Sequence, residues 1–351
     1  MTGFDPNAAS PAASGIFGLP TGFEEARLVY LPVPWEATTS YGGGTAGGPR
    51  AILEASRQVD LFDLEVDRPY QAGLVMLAED PQVIGWNAEA RPLARRIIDR
   101  GGRIDGDAGL TAALARVNTL SAALNDRVYQ EVGRIHDAGR IPALVGGDHS
   151  TPFGAIRAMA ERHPGLGILQ FDAHMDLRAA YEGFTWSHAS IMHNVLDRIR
   201  GVARLVQVGI RDFCEEELDR ATALADRVRV FYDADLARRR FAGEPWASAV
   251  PAIIDALPGE VWISFDIDGL DPRFCPHTGT PVPGGLDFNE VVYLVAALAQ
   301  SGRRVVGFDL NEVAPGPDGS GEWDANVAAR LLYKLSAWTL VSQGLRPVRS
   351  R

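Results

Sequence analysis

Apolar residues recur along this chain in two rhythms. Eight short runs are rich in Val, Ile, Leu and Phe and mostly lack polar alternation: Leu28–Val33, Ala72–Leu77, Ile141–Val145, Gly167–Phe171, Leu205–Val208, Val228–Tyr232, Trp262–Ile267 and Val305–Leu310. Strands buried on both faces have this look. Between the runs, apolar residues fall three and four apart, the spacing of one helix face. These helical stretches are Ala51–Asp60, Leu110–Ala138, Thr151–Arg162, Ser190–Arg198, Glu215–Ala225, Ala247–Leu257, Phe288–Ala299 and Asn326–Gln343. Pro49 stands where a first helical turn begins. Strands alternating with helices predict an α/β fold built on a largely parallel sheet. Residues 1–27, rich in Ala, Ser, Pro and Gly, read as a flexible arm. No stretch of linker composition interrupts the rest, so 28–345 reads as a single domain.

Composition narrows the class. The chain has 351 residues, 46% of them apolar, enough for a large core. Against 34 Lys and Arg stand 45 Asp and Glu, a formal charge of −11. That balance argues against nucleic acid and anionic membrane as partners, since both demand positive charge. Two cysteines exclude a disulfide scaffold and a Cys-based zinc finger. No apolar run has the length of a membrane span or a secretion signal, so a cytoplasmic protein is expected. Gly42–Gly47 satisfies G-x-G-x-x-G, but it lies eight residues beyond Pro34 rather than at a strand end. It reads as a flexible glycine loop over a site, not a nucleotide cradle.

Three segments carry the chemistry, each ending a predicted strand with acids and histidines. They are Ala143-Leu-Val-Gly-Gly-Asp-His149, Leu169-Gln-Phe-Asp172-Ala-His174-Met-Asp176 and Ile263-Ser-Phe-Asp266-Ile-Asp268-Gly-Leu-Asp271. In extended chain, residues two apart share a side, so Asp172, His174 and Asp176 converge, as do Asp266 and Asp268. Ligands of open α/β sheets bind at the carboxyl ends of strands, where all three segments end. Four carboxylates in one crevice repel unless cations neutralise them. Two imidazoles and four carboxylates suit a pair of divalent transition ions such as Mn²⁺, Fe²⁺, Co²⁺, Ni²⁺ or Zn²⁺, about 3.5–4 Å apart. Such a pair turns bridging water into hydroxide near neutral pH, which points to metal-assisted hydrolysis.

With these residues in view, the chain resembles the ureohydrolase family of arginase, agmatinase and related guanidino-compound hydrolases. The resemblance lies in Gly146-Gly-Asp-His-Ser150, Phe171-Asp-Ala-His-Met-Asp176, Ser264-Phe-Asp-Ile-Asp-Gly-Leu-Asp-Pro272 and Thr278-Gly-Thr-Pro-Val-Pro-Gly-Gly285. It implies a three-layer αβα sandwich with eight mostly parallel strands. It implies Asp172 and Asp266 bridging two metals, with His149 and Asp176 completing one site and His174 and Asp268 the other. Manganese is the family's usual metal, with nickel in some relatives. His188, in Trp186-Ser-His-Ala189, matches the family's proton-shuttling histidine. Glu312, in Asn311-Glu-Val-Ala-Pro315, matches the glutamate that pairs with guanidinium. The implied mechanism has the bridging hydroxide attack the guanidinium carbon while Asp176 takes its proton, releasing urea, or a substituted urea, and an amine. Trimers or hexamers are implied, of this chain alone or with a second subunit.

The substrate is less constrained. The loop Arg178-Ala-Ala-Tyr-Glu-Gly-Phe-Thr-Trp186 lacks the Asn and Ser with which arginases hold an amino-acid head, so the resemblance is closer to agmatinases. Met175 and Val282 depart from the agmatinase pattern, which commonly has Thr and Glu there. Glu182 is a candidate receiver for the distal amine of agmatine. Tyr181, Phe184 and Trp186 instead suggest an aromatic wall for free or alkylated guanidine, or a biguanide such as metformin. A non-catalytic subunit on the same fold and a deacetylase-like amidohydrolase are the remaining classes. Retention of all six ligands argues against the first, and Glu312 with two full metal positions against the second.

Overall fold

The computed structural model describes residues 4–316 and 322–350. Its strands are β1 (Leu28–Val33), β2 (Leu74–Met76), β3 (Ile141–Gly146), β4 (Leu166–Phe171), β5 (Val202–Ile210), β6 (Val228–Tyr232), β7 (Glu260–Asp266) and β8 (Arg304–Asn311). Its helices are α1 (Gly48–Ser56), α2 (Pro81–Ile98), α3 (Ala108–Asp137), α4 (Phe153–Arg162), α5 (Ile191–Arg198), α6 (Glu215–Ala223), α7 (Asp233–Phe241), α8 (Val250–Asp255), α9 (Phe288–Gln300) and α10 (Glu322–Ser342). All eight sequence-predicted strands form, within a few residues of their expected bounds. Helices α2 and α7 were not among the sequence-predicted ones. Helix α2 carries Pro92 in its interior and is capped by Asp80, whose side chain accepts from the Gln82 N–H. Helix α7 carries Arg238, Arg239 and Arg240 in its last turn and buries only Asp233 and Leu236, so its apolar stripe is nearly absent.

The strands form one sheet in the order β2-β1-β3-β8-β7-β4-β5-β6. Every pairing among them is parallel. Alternate strand residues enter two separate cores. Leu28, Tyr30, Leu169, Phe171, Ile263 and Phe265 join helices α1 and α7–α10 on one face. Val29, Leu31, Leu144, Ile168, Leu205 and Trp262 join α2–α6 on the other. This is the three-layer αβα sandwich. Strands sandwiched this way need apolar residues at every position, which is why their runs do not alternate.

The expected flexible arm is packed in its second half. Ile16, Phe17 and Leu19 are 1–2% exposed and belong to the first core. Phe17 N–H donates to Ser56 Oγ at 2.9 Å, and its ring meets Tyr333 at 5.0 Å between centroids. Three large apolar side chains in an otherwise small and polar segment are what hold it down. Residues 1–3 of that arm lie outside the described residues.

Candidate active site

The sheet register sets out the site. Val145, Leu310, Phe265 and Phe171 stand in one row across the adjacent strands β3, β8, β7 and β4. One residue further along lie Gly146, Asn311, Asp266 and Asp172, at or just past the strand ends. Here side chains replace the backbone ladder as the main contacts. The turn after β3 is fixed by Gly147 N–H donating to Val33 O and Asp148 N–H donating to Trp35 O. A Cβ on Gly147 would collide with the Trp35 backbone, so glycine is required there. The turn delivers His149, 1% exposed, over the ends of β7 and β4.

Two groups of ligand atoms result, and Asp172 belongs to both. His149, Asp172 and Asp266 form one; Asp172, His174 and Asp268 form the other, each within 4.8 Å. His149 Nδ1 lies 2.9 Å from Asp172 Oδ2, 3.0 Å from Asp176 Oδ2 and 3.4 Å from Asp266 Oδ2. His174 Nδ1 lies 3.1 Å from Asp268 Oδ2 and 3.5 Å from Asp172 Oδ1. Asp266 falls in the first group only, and its Oδ1 accepts from the Asp268 N–H at 2.9 Å. Alternation along extended chain accounts for Asp172 and His174. Asp176 comes back to His149 through a left-handed backbone, φ 56°, that no alternation rule supplies.

These donors fit divalent cations. His149 Nδ1 is buried within 2.9–3.4 Å of three carboxylates, the arrangement of donor atoms converging on a shared positive charge. Burial and the Asp172 charge push Asp176 from an ordinary 3.8 up to about 7. Burial and the charges of Asp268, Asp172 and Glu312 push Asp266 well up. For His149, burial works downward, but Asp172 and Asp176 outweigh it and hold the ring well above its usual range. For Asp172, burial works upward, and His149 and His174 overcome it to keep the acid ionised. Crowded carboxylates thus raise one another's proton affinity, which is the electrostatic demand a divalent cation would meet.

Glu312 sits in the same constellation. Its φ is 62°, its N–H donates to Gly147 O at 2.7 Å, and its carbonyl accepts from Thr278 Oγ1 at 2.8 Å. Its Oε1 accepts from the His149 N–H at 2.9 Å, whereas Oε2 is buried without a partner. Burial and the nearby Asp148 hold its acid well above the usual range. His188 is half-buried; burial and the charges of His174 and His149 push it down to about 3, so it is neutral.

A cavity of about 150 Å³ opens above these groups, lined by His149, His174, Asp176, His188, Asp266, Asp268 and Glu312. Its upper wall includes Ser40, Arg178, Tyr181, Asp212, Phe213 and Glu217. Trp186, expected to meet substrate, is not part of the lining. Its ring packs on Phe153, 4.8 Å between centroids, and under the Arg198 guanidinium at 4.9 Å. Phe184 is 1% exposed in the second core, so of the expected aromatic wall only Tyr181 faces the cavity. Glu182 also lies off the cavity, against Gly102. The glycine loop is pinned rather than loose: Glu36 Oε2 accepts from Gly44 N–H, Thr45 Oγ1 and Ala46 N–H.

One buried group behind the site escaped the sequence reading. Asp309, in β8, is fully buried and accepts from Trp262 Nε1, Ser264 Oγ, Phe265 N–H and Asn311 Nδ2. Ser264 Oγ in turn lies 3.0 Å from His149 Nε2, so Asp309 orients that ring from behind. An acid inside an apolar strand run was the available signal, since a buried carboxylate needs partners.

The chain matches the Arginase family over residues 26–337. It belongs to that family. It is 33% identical over 315 residues to the N(1)-aminopropylagmatine ureohydrolase of Thermus thermophilus, covering 89% of this chain and 90% of the relative. It is 30% identical over 316 residues to an agmatinase of Bacillus anthracis, covering 90% and 93%. The agmatine ureohydrolase structure of Thermoplasma volcanium shares the fold, with TM-score 0.72 and 24% identity over 95% of this chain and 97% of that one. As a member of the arginase family, the chain is a metal-dependent hydrolase of guanidino compounds with a dinuclear divalent site. Among the described residues, no helix is long and apolar enough to cross a membrane.

Proposed function

We propose that this protein hydrolyses a small guanidino compound to urea and an amine, in the manner of agmatinases rather than arginases. The observation that carries the reading is the pair of His–carboxylate groups sharing Asp172 beneath a cavity that Glu312 also lines. His149, Asp176, Asp172 and Asp266 would hold one ion; His174, Asp268 and the same two aspartates would hold the other. When bound, the ions supply a nucleophile at neutral pH and positive charge where the carbon turns tetrahedral.

The residues do the rest. Glu312 receives the planar guanidinium at Oε2, which has no other partner, while the His149 N–H fixes Oε1. Asp176, whose Oδ2 lies 3.0 Å from His149 Nδ1 on the lining of the cavity, is placed to take up and return a proton. His188 stays neutral, so one ring nitrogen accepts while the other donates, as a proton relay to water requires. Water adds to the guanidinium carbon, the bond to the substituted nitrogen breaks, and that nitrogen leaves protonated. Manganese as the first-choice ion, nickel as the second, a trimer or hexamer and a cytoplasmic setting accompany this reading on the resemblance alone. The reading with free guanidine or a biguanide drew on an aromatic wall, of which Tyr181 alone lines the cavity.

The test is urea release from a panel of guanidino compounds after loading with Mn²⁺ or Ni²⁺. Urea from at least one is expected, with loss of at least about 100-fold in Asp266→Asn. No urea from any compound at full metal occupancy, or full activity and two bound ions in Asp266→Asn, overturns the proposal.

A further inference from the structure

Residues 277–282 run beside the cavity without a helix or strand of their own, and Thr280 lines it. Their placement bears directly on Glu312. Thr278 Oγ1 donates to the Glu312 carbonyl at 2.8 Å, and Gly279 stands against Glu312 Oε2. Gly279 O also accepts from the Gly42 N–H at 3.0 Å. A segment with no backbone ladder depends on side chains to hold it in place. At its far end Arg211 does so, with Nη2 donating to Val282 O at 2.9 Å and to Asp268 O at 2.7 Å.

At its near end the hold comes from the first turn of α10. Asp324 is fully buried there, and one residue of the loop occupies both its oxygens. Oδ1 accepts from the His277 N–H at 2.9 Å, and Oδ2 lies 2.9 Å from His277 Nδ1. A carboxylate only accepts, so that ring nitrogen carries the proton. Burial pushes the Asp324 acid up, and the two His277 bonds pull against it. Removing the ring donor would leave a buried oxygen unpaired, which keeps the clasp closed. Trp323 Nε1, in the same turn, donates to Arg273 O at 2.8 Å and adds a second tie. Neither His277 nor Asp324 lines the cavity.

We infer that His277 is a positioning residue: clasped by Asp324, it sets the loop that fixes where Glu312 meets the guanidinium. The inference rests on the reading of Glu312 as the guanidinium receiver. The contacts form an unbroken series. Helix α10 carries Asp324, Asp324 holds His277, Thr278 holds the Glu312 backbone, and Gly279 flanks the unpartnered Oε2. Neither member of the pair touches substrate or takes part in the bond changes. Opening the clasp lets Thr278 and Gly279 shift against Glu312, and a shift near 1 Å in a binding group costs up to about 100-fold.

The test uses metal-loaded full-length protein and a guanidino compound from which it releases urea. His277→Ala is expected to lower kcat/KM by about tenfold or more, mainly through KM, with two ions still bound. His277→Asn, whose Nδ2 stands where ring Nδ1 stood, is expected to recover most of that loss. In a Glu312→Gln background, His277→Ala adds little further loss, because it acts through Glu312. A merely structural clasp would lower the melting temperature and leave KM unmoved, which would overturn the inference. So would equal losses in His277→Ala and His277→Asn, or full additivity with Glu312→Gln. Should His277→Ala fail to fold, Asp324→Asn, which keeps one acceptor, takes its place in the same cycle. If no guanidino compound yields urea, the hydrolase reading falls by itself. Calorimetric titration with guanidinium chloride then decides the inference: weaker binding in His277→Ala, restored in His277→Asn, sustains it, and equal or absent binding overturns it.

Discussion

Glu312 is held in a conformation that costs it energy. A left-handed backbone at a non-glycine residue costs about 1–3 kcal/mol, and Asp176 shares it. Both persist because the hydrogen bonds and charges around them leave no alternative. The result is a carboxylate with one oxygen fixed and the other unpartnered, and Gly279 keeps that second oxygen approachable. A Cβ at residue 279 would stand 2.7 Å from Glu312 Oε2. Gly279→Ala is therefore expected to lower kcat/KM about 10–100-fold with a nearly unchanged melting temperature, because displacement near 1 Å suffices for such losses. Urea release beside thermal denaturation checks it; wild-type turnover in the alanine variant would refute the assigned role of Oε2. At this scale the motifs exposed His149, Asp172, His174, Asp176, Asp266, Asp268, His188 and Glu312. They did not expose Asp309 or the direction of Trp186. Residue type tells which atoms a side chain offers, whereas what it meets depends on distant strands.

At the scale of elements, the eight strands were legible because burial on both faces demands unbroken apolar runs. Helices α2 and α7 were not, since an interior Pro92 and a run of three arginines mask their periodicity. The N-terminal segment misled in the other direction. Its composition suits a free arm, yet Phe17 sits between Tyr30 and Tyr333 and donates its N–H to Ser56. Phe17→Ala is expected to destabilise the protein by about 3–5 kcal/mol, as for other buried phenylalanines. A free arm would give no change at all. Chemical denaturation of the two proteins separates these outcomes.

For the whole molecule, the acidic cluster links stability to metal and pH. In the metal-free protein Asp176 has its pKa raised from 3.8 to about 7, and Asp266, Glu312 and His149 are raised as well. A raised folded-state pKa means that the fold holds protons the unfolded chain has already lost. Stability of the stripped protein should thus fall as pH rises from about 4 to 7 through the Asp176 range. Bound divalent ions replace those protons and abolish the loss. Melting temperatures of stripped and loaded protein at pH 5 and pH 8 are expected to differ more at pH 8. A gap that narrows with rising pH would contradict the site's electrostatics.

The formal charge of −11 takes on a different meaning here, since four of the 45 acids, Asp172, Asp176, Asp266 and Asp268, are buried around His149 and His174, with Glu312 beside them. The amino-acid sequence by itself determined the strands, the layered class and the chemical types gathered at the strand ends. Those features follow from local rules: apolar runs for buried strands, and acids with histidines for cations. Only the tertiary structure decided that β3, β8, β7 and β4 stand side by side, so that Asp172 is shared between two ligand groups. It alone turned Trp186 into the core, packed Phe17 beneath α10 and set Asp324 against His277. Each of these depends on contacts between residues far apart along the chain, and such contacts are set by how whole elements pack rather than by any one segment's pattern.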